Sequence, residues 1–242
     1  MEKILEVKGL EKSFNLHLLG EKVIEGCTDI DFTLTKGQFL GIYGPSGAGK
    51  STVLKCIYRT YLPSEGQMIY NSDKFGEIDI AAASEQEILE LRDYEINYLT
   101  QFLKVIPRVS AEDIVAKSLV KRGVDYQSAL ESARELLAKL EIPEELWDAY
   151  PSTFSGGEKQ RINIARNIIT KPKLLLLDEP TASLNRELKK LVLDLLWQLK
   201  KEGTTMVGIF HNLEFMREIA DYQLSMLDGT VTALEQERLA AN

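Results

Sequence analysis

The sequence predicts an α/β protein with a parallel sheet core, an antiparallel β segment before it and a helical segment inserted into it. Three observations indicate this fold class. A glycine-rich run at residues 44–52 follows a short apolar strand and precedes a segment without Gly or Pro that suits a helix. Residues 4–8 alternate, and with further strands at 22–24 and 30–34 they predict a small antiparallel sheet. Strand signals vanish between residues 102 and 146, where helical periodicity replaces them.

The glycine-rich run fits the pattern G-x-x-x-x-G-K-[ST], with glycines and a Lys-Ser pair at the fixed places. Glycines permit the backbone angles that turn successive N–H groups inward, and the following helix adds its positive dipole end. Lysine supplies a charge for β- and γ-phosphates, and the serine hydroxyl suits Mg²⁺. The residues of this candidate site are Gly44, Pro45, Ser46, Gly47, Ala48, Gly49, Lys50, Ser51 and Thr52.

Composition and charge exclude several classes of protein. The 242 residues contain 44% hydrophobic residues, enough for a sizeable core, and the net charge of −8 argues against a general nucleic-acid partner. No apolar run is long enough to cross a bilayer, and the first residues have no signal-peptide character, so direct membrane insertion is not expected. Cys27 and Cys56 make no disulfide framework, and we expect two reduced thiols in a cytoplasmic protein.

The segment before the glycine-rich run predicts an edge strand at residues 4–8 and further strands at 22–24 and 30–34. Phe14 precedes the glycine-rich run, which is the candidate phosphate loop. It is a candidate for stacking on a nucleotide base. The alternative, a plain core position, is the more frequent fate of a single phenylalanine.

Between the glycine-rich run and residue 160 the chain predicts a hairpin at 71–80, a capped helix at 84–92 and a strand at 96–99 that ends beside Gln101. Helices are expected at 111–122 and 128–140. A second glycine turn then leads into a helix at 158–170, which predicts a second anion site. Its residues are Ser155, Gly156, Gly157 and Glu158.

Four consecutive leucines at 174–177, followed by two carboxylates, predict a strand buried on both faces with its acids at the carboxyl edge of the sheet. Asp178 is the candidate holder of Mg²⁺ and Glu179 the group that polarises an attacking water. A helix at 184–201, with leucines 184, 188, 191, 195 and 199 inward, and a strand at 204–210 follow. His211 ends that strand and is a candidate γ-phosphate contact. Two short strands at 223–227 and 230–233 and a frayed helix at 235–242 complete the prediction.

Taken in order, these motifs resemble those of an ATP-binding-cassette (ABC) nucleotide-binding domain, over nearly the whole chain. The resemblance implies a P-loop NTPase of ABC type, with a RecA-like parallel core, an antiparallel β subdomain and an α-helical subdomain. It implies one domain over 1–242, in which 1–101 and 160–242 form the catalytic core and about 102–159 the helical subdomain. The second glycine turn, at 155–158, belongs to this subdomain and resembles the family's signature motif; we call it the signature turn. The resemblance also implies ATP and Mg²⁺ as cofactors, Lys50, Glu179 and His211 as catalytic groups, and Ser51, Gln101 and Asp178 as the groups that serve the metal.

In that arrangement one nucleotide lies between the phosphate loop of one chain and the signature turn of another, which implies a homodimer across two ATP. Asn185 and Asn212 stand where Asp is frequent in the family, and both changes keep hydrogen bonding but lose a charge.

Stretches less common across the family, including 61–67, 101–108, 146–147, 151–158 and 207–211, are similar to ABC proteins of the bacterial carbon–phosphorus lyase system. This resemblance implies a role in phosphonate utilisation, with soluble lyase core subunits and a sister ABC protein as partners. The alternative is the ATP-binding subunit of a membrane ABC transporter of phosphonate or lipoprotein type. A third possibility is a nucleotide-gated scaffold that barely hydrolyses ATP, and the intact Glu179 and His211 speak against it.

Overall fold

The structure is a computed structural model that describes residues 2–16, 22–101, 103, 107–210 and 212–236. Its strands are β1 Lys3–Leu16, β2 Lys22–Thr35, β3 Phe39–Tyr43, β4 Glu65–Ser72, β5 Gly76–Asp79, β6 Ile96–Leu99, β7 Leu174–Asp178, β8 Thr205–Ile209, β9 Tyr222–Leu227 and β10 Thr230–Gln236. Its α-helices are α1 Lys50–Ile57, α2 Glu85–Tyr94, α3 Ala111–Val120, α4 Tyr126–Lys139, α5 Gly156–Ile168, α6 Arg186–Lys201 and α7 Leu213–Arg217.

The described strands form one sheet in the order β5-β4-β1-β2-β10-β9-β3-β8-β7-β6. Strands β6, β7, β8, β3 and β9 run parallel, whereas β5, β4, β1 and β2 pair antiparallel. The pairing of Thr230 with Thr28 joins the two parts. The α/β class with an antiparallel opening, a parallel core and a helical insertion is therefore confirmed.

Apolar side chains cover both faces of the parallel part. Strand β7 shows this best, because Leu175 and Leu177 pack into the cluster under α3–α6, whereas Leu174 and Leu176 pack into the cluster under α1 and α2. All four are fully buried. The alternation carries Asp178 to the α1 face, beside the phosphate loop.

The first strands are longer than the sequence predicts. Residues 4–8 belong to β1, which pairs with both β2 and β4 and is not an edge strand. The strands predicted at 22–24 and 30–34 are one strand, β2, whose register shifts against β1. Gly9 and Asp29 have positive φ at these irregularities, so the chain passes through bulges where the sequence suggests breaks.

The leucines predicted to face inward along α6 and just before it all contact the core. Leu184, Leu188 and Leu199 are buried, and Leu191 and Leu195 are half-buried against the same cluster. The inward face is wider than predicted, because Val192, Leu193, Leu196 and Lys200 are buried as well. Glu235 and Gln236 belong to β10 and not to a terminal helix, and residues 237–242 lie outside the described residues. Of the helices that the structure describes, none combines the length and apolar character that a membrane span requires.

Candidate nucleotide site

The phosphate loop connects β3 to α1 through backbone angles that favour glycine. Gly44, Gly47 and Gly49 have φ of 146°, 84° and 90°. Gly49 is the N-cap of α1, in the left-handed conformation and with no side-chain cap. The other six described α-helices each begin with a side-chain oxygen that accepts from their first turn. The N–H groups at the start of α1 are therefore left for an anion.

Two of these glycines are also required by close backbone approach. A Cβ on Gly44 would lie 2.1 Å from the carbonyl oxygen of Met226, and one on Gly49 would lie 2.1 Å from that of Gly26. At Gly47, by contrast, a Cβ would meet nothing within 4 Å. The loop is therefore held between β9 and β2 at its two ends and is open to a ligand at its tip.

Lys50 is folded back into the loop. Its side chain donates to the carbonyl oxygens of Gly44 (2.8 Å) and Pro45 (2.6 Å), and the residue is only 7% exposed. Burial lowers the pKa of Lys50, while the negative charges of Glu179 and Asp178 oppose that shift. A buried ammonium group held by backbone carbonyls is a suitable partner for phosphate oxygens.

One cavity brings together much of the predicted site. Phe14 stands at one end, with its ring edge-on to Tyr61 at 5.2 Å and Lys12 over its face at 5.1 Å. A flat apolar ring that lines the same cavity as the phosphate loop suits a nucleotide base. The cavity is lined by Phe14, Ile24, Glu25, Gly26, Ser46, Gly47, Ala48, Gly49, Lys50, Ser51, Thr52 and Glu179.

Asp178 lies next to the loop, as the sequence predicts. Ser51 Oγ donates to Asp178 Oδ1 (3.1 Å), and Tyr98 OH donates to Asp178 Oδ2 (2.9 Å). A hydroxyl and one carboxylate, with nucleotide phosphates beside them, form the oxygen donor set on which Mg²⁺ usually relies. The residues present therefore fit both a polyphosphate and this metal.

Glu179 occupies a strained backbone position at the end of β7. Its φ is 53°, which an L-residue adopts at a cost of about 1–2 kcal/mol. The Gln101 side-chain amide donates to Glu179 Oε2 (3.2 Å). Because the amide nitrogen of Gln101 is used there, its carbonyl oxygen is the atom that could serve a metal.

The second glycine turn lies apart from this cavity. Ser155 and Gly156 are exposed at the start of α5, and neither lines the cavity around Lys50. Ser155 and Glu158 form a capping box, in which Ser155 N donates to Glu158 Oε2 (2.8 Å) and Glu158 N donates to Ser155 Oγ (3.3 Å). Further along α5, buried Gln160 donates to the carbonyl oxygen of Pro180 (2.9 Å), which ties this helix to the segment after Glu179.

His211 lies outside the described residues, as do Phe102 and residues 104–106, so the predicted γ-phosphate contact stays a prediction. Asn212 and Asn185, which replace an aspartate frequent in the family, are both helix N-caps. Asn185 Oδ1 accepts from Leu188 N (2.9 Å), and Asn212 Oδ1 accepts from Phe215 N (3.1 Å). Either amide performs the capping role that a carboxylate would perform.

The sequence prediction missed several residues of the site. Ile24, Glu25 and Gly26 line the cavity because β2 continues past the phosphate loop, which the prediction of two separate strands obscured. Tyr98 was missed because only the pairing of β6 with β7 brings it near Asp178. It pairs with Leu176, two residues before Asp178 on the same face of the sheet.

Comparisons with known proteins agree with this geometry. The family described as "ABC transporter" matches residues 27–182. A "Probable amino-acid ABC transporter ATP-binding protein" of Haemophilus influenzae is 34% identical over 94% of this chain and 86% of its own length. The lipoprotein-releasing system ATP-binding protein LolD of Colwellia psychrerythraea is 33% identical over 97% of this chain and 87% of its own length.

Among solved structures, the dimeric ATP-binding cassette MJ0796 bound to ADP and Pi is similar, with a TM-score of 0.87 and 27% identity. The similarity covers 99% of this chain and 100% of the MJ0796 chain. The chain therefore belongs to the ABC transporter family and is an ABC-type ATPase, with ATP and Mg²⁺ as its cofactors.

Proposed function

We propose that the chain binds Mg-ATP in the cavity around Lys50 and hydrolyses it in a homodimer. The observation that carries this proposal is the uncapped N-terminus of α1, which opens into the cavity that Phe14 and Glu179 also line. The loop amides and Lys50 hold the phosphates, and Phe14 stacks on the base. The residues we assign to nucleotide binding are Phe14, Gly44, Pro45, Ser46, Gly47, Ala48, Gly49, Lys50, Ser51, Thr52, Gln101, Ser155, Gly156, Gly157 and Glu158.

In the proposed mechanism, Glu179 accepts a hydrogen bond from the attacking water and orients it toward the γ-phosphate. Gln101 holds the Glu179 carboxylate, and the strained φ of Glu179 fixes the direction of its side chain. When bound, Mg²⁺ neutralises phosphate charge, and Ser51, Gln101 and Asp178 are the groups we assign to it. Lys50 and His211 are the other groups we assign to the developing negative charge.

The homodimer follows from the position of the signature turn. Ser155 and Gly156 are exposed and do not line the cavity of their own chain, so a second copy is needed to bring such a turn to each nucleotide. The dimeric MJ0796 cassette supports this arrangement. We propose that ATP closes the dimer and that hydrolysis opens it.

Glu179→Gln tests the catalytic assignment. The variant keeps the volume and hydrogen bonding of the side chain but removes the base, so ATP turnover should fall by on the order of a hundredfold or more. The ATP-bound dimer should then persist in size-exclusion chromatography. Glu131→Gln, at an exposed position of α4, is the matched control and should keep wild-type turnover. Full ATPase activity in Glu179→Gln would refute the role of Glu179.

For the partner of this ATPase, we propose a membrane transporter, of which the chain would be the ATP-binding subunit. The relatives support this reading better than the lyase reading, because they are named as amino-acid transport and lipoprotein-releasing subunits. The chain would then act at a membrane through a permease, itself staying cytoplasmic.

The second candidate is the carbon–phosphorus lyase system, in a role like that of its component PhnL. The stretches at 61–67, 101–108, 151–158 and 207–211 favour it. One of these stretches begins at Gln101, whose side chain contacts Glu179, so a partner that docks there could influence the ATPase. In this reading the partners are soluble lyase core subunits and a sister ABC protein.

Affinity purification from phosphate-starved cells separates the two candidates. Recovery of integral membrane permeases supports the transporter, and recovery of soluble lyase subunits supports the second candidate. The Glu179→Gln variant with ATP is the bait of choice, because a closed dimer that turns over slowly keeps its partners.

We also propose the division into a catalytic core (1–101 and 160–242) and a helical subdomain (about 102–159). Helix α5 continues across residue 159 and so belongs to both parts.

A further inference from the structure

Tyr98 contacts the site, but it belongs neither to the phosphate loop nor to the motif of Asp178 and Glu179. It lies on β6, at the end of the sheet, and its ring packs with the apolar cluster under α1. Its neighbour across the parallel pairing is Leu176, and Asp178 is the next residue of β7 on the same face. A tyrosine side chain is long enough to reach from one position to the other along this face.

The two carboxylate oxygens of Asp178 have different hydrogen-bond partners. Oδ1 accepts from Ser51 Oγ at 3.1 Å, and Oδ2 accepts from Tyr98 OH at 2.9 Å. Among the described residues, Ser51 and Tyr98 are the side chains bonded to this carboxylate. The oxygen bonded to the helix that follows the phosphate loop is thus Oδ1, and the tyrosine holds the other oxygen.

The ring of Tyr98 is itself held in place. Tyr58 packs against it with ring centroids 5.1 Å apart, and the Arg92 guanidinium lies 4.5 Å from the Tyr58 ring. Arg92 also donates twice to the carbonyl oxygen of Tyr58, at 3.0 and 2.7 Å. A tyrosine hydroxyl keeps its proton at neutral pH, so it can donate to the carboxylate.

We propose that Tyr98 is a positioning residue for the metal-binding carboxylate: its hydroxyl fixes Asp178 Oδ2 so that Oδ1 is presented to the side of Ser51, where the divalent cation of the nucleotide binds. The inference rests on the proposed Mg-ATP site. Partners that orient a metal-binding group change metal affinity more than they change the binding of the rest of the ligand. Tyr98 should therefore act on the cation and leave the phosphate loop unaffected.

The test compares Tyr98→Phe with the wild-type chain in two binding measurements. The first is the Kd of ATP in excess EDTA, which measures nucleotide binding by the phosphate loop and the base site without metal. The second is Mn²⁺ binding to the ADP complex, followed by electron paramagnetic resonance. We expect an unchanged Kd in EDTA and a roughly tenfold weaker Mn²⁺ affinity. Tyr58→Phe is the matched control, because it removes a hydroxyl from the ring that packs against Tyr98 and should leave both values unchanged.

Each outcome decides between the possibilities. Equal Mn²⁺ affinity in Tyr98→Phe and wild type would overturn the positioning role, and so would an equal weakening of binding with and without metal, which indicates a general structural effect. Tyr98→Met, which also lacks the hydroxyl, must reproduce the Mn²⁺ result and decides the question if Tyr98→Phe does not fold. A wild-type chain that binds no metal–nucleotide complex would instead refute the proposed function itself.

Discussion

At the scale of single residues, the glycines of the phosphate loop meet two different requirements, a positive φ and a close approach to neighbouring backbone. Gly47 and Gly49 both have positive φ, but only Gly49 also lies against backbone. A side chain at position 47 would cost only the free energy of holding an L-residue in the left-handed conformation. At position 49 it would also displace the carbonyl of Gly26 on β2 and so disturb the cavity wall.

Replacing these glycines by alanine should therefore give two different results. Gly47→Ala should lower the free energy of unfolding by about 1–2 kcal/mol and leave a measurable ATP affinity. Gly49→Ala should lower it further and abolish ATP binding, because the contact at 2.1 Å cannot be relieved without moving β2 or α1. Urea unfolding and ATP titration of both variants check this. Equal effects at the two positions would show that the close approach to Gly26 is unimportant.

At the scale of elements, one buried carboxylate joins the antiparallel and parallel parts of the sheet. Glu95, at the end of α2, is 6% exposed. It accepts from Tyr70 OH (3.1 Å), Ser72 Oγ (2.7 Å) and Asp73 N (3.1 Å) around β4, and its carbonyl accepts from Leu174 N (3.0 Å) at the start of β7. Hydrogen-bond donors from β4 thus fix the position of the segment that leads into β6.

Glu95→Gln should destabilise the protein by about 2 kcal/mol, because an amide nitrogen would then face donors and leave buried groups unsatisfied. The measurement is the free energy of unfolding in urea at neutral pH. Glu90→Gln on the same helix is the control, since Glu90 pairs with exposed Lys74 and such surface pairs contribute less than about 1 kcal/mol. A loss at position 95 no larger than at position 90 would contradict this account of Glu95.

The elements also show what the sequence could predict. The buried strand β7 and the capping box at Ser84 depend on local patterns, and the structure confirms them. The continuity of β1 and β2 depends on pairing between distant residues, so the sequence predicts short separate strands at 4–8, 22–24 and 30–34, although the structure has bulges near Gly9 and Asp29. For the same reason, Asp178 and Glu179 were recognised as candidates from their motif, whereas Tyr98 emerges only when β6 is placed beside β7.

At the scale of the whole molecule, the two halves of the nucleotide site face different surroundings. Lys50 lies in the cavity of the phosphate loop, while Ser155 is exposed at the start of α5, outside it. Gly157 of the signature turn lies beside the segment after Glu179, since a Cβ there would be 3.5 Å from the carbonyl oxygen of Ser183. The signature turn is therefore close to the segment that follows Glu179 in its own chain. In the proposed homodimer, it is the second copy that brings such a turn to a phosphate loop.

This arrangement predicts that two inactive variants restore each other. Lys50→Ala removes the phosphate contact and Ser155→Arg blocks the signature turn, so each homodimer should lack both sites. In a mixed dimer, the Ser155→Arg chain supplies an intact Lys50 and the Lys50→Ala chain supplies an intact Ser155, which rebuilds one of the two sites. An equimolar mixture should then recover up to about a quarter of wild-type ATPase activity, because half of the dimers are mixed. Mixing Lys50→Ala with Lys50→Ala/Ser155→Arg is the control and should recover none. If the variants stay inactive together although mixed dimers form, the site shared between two copies is refuted.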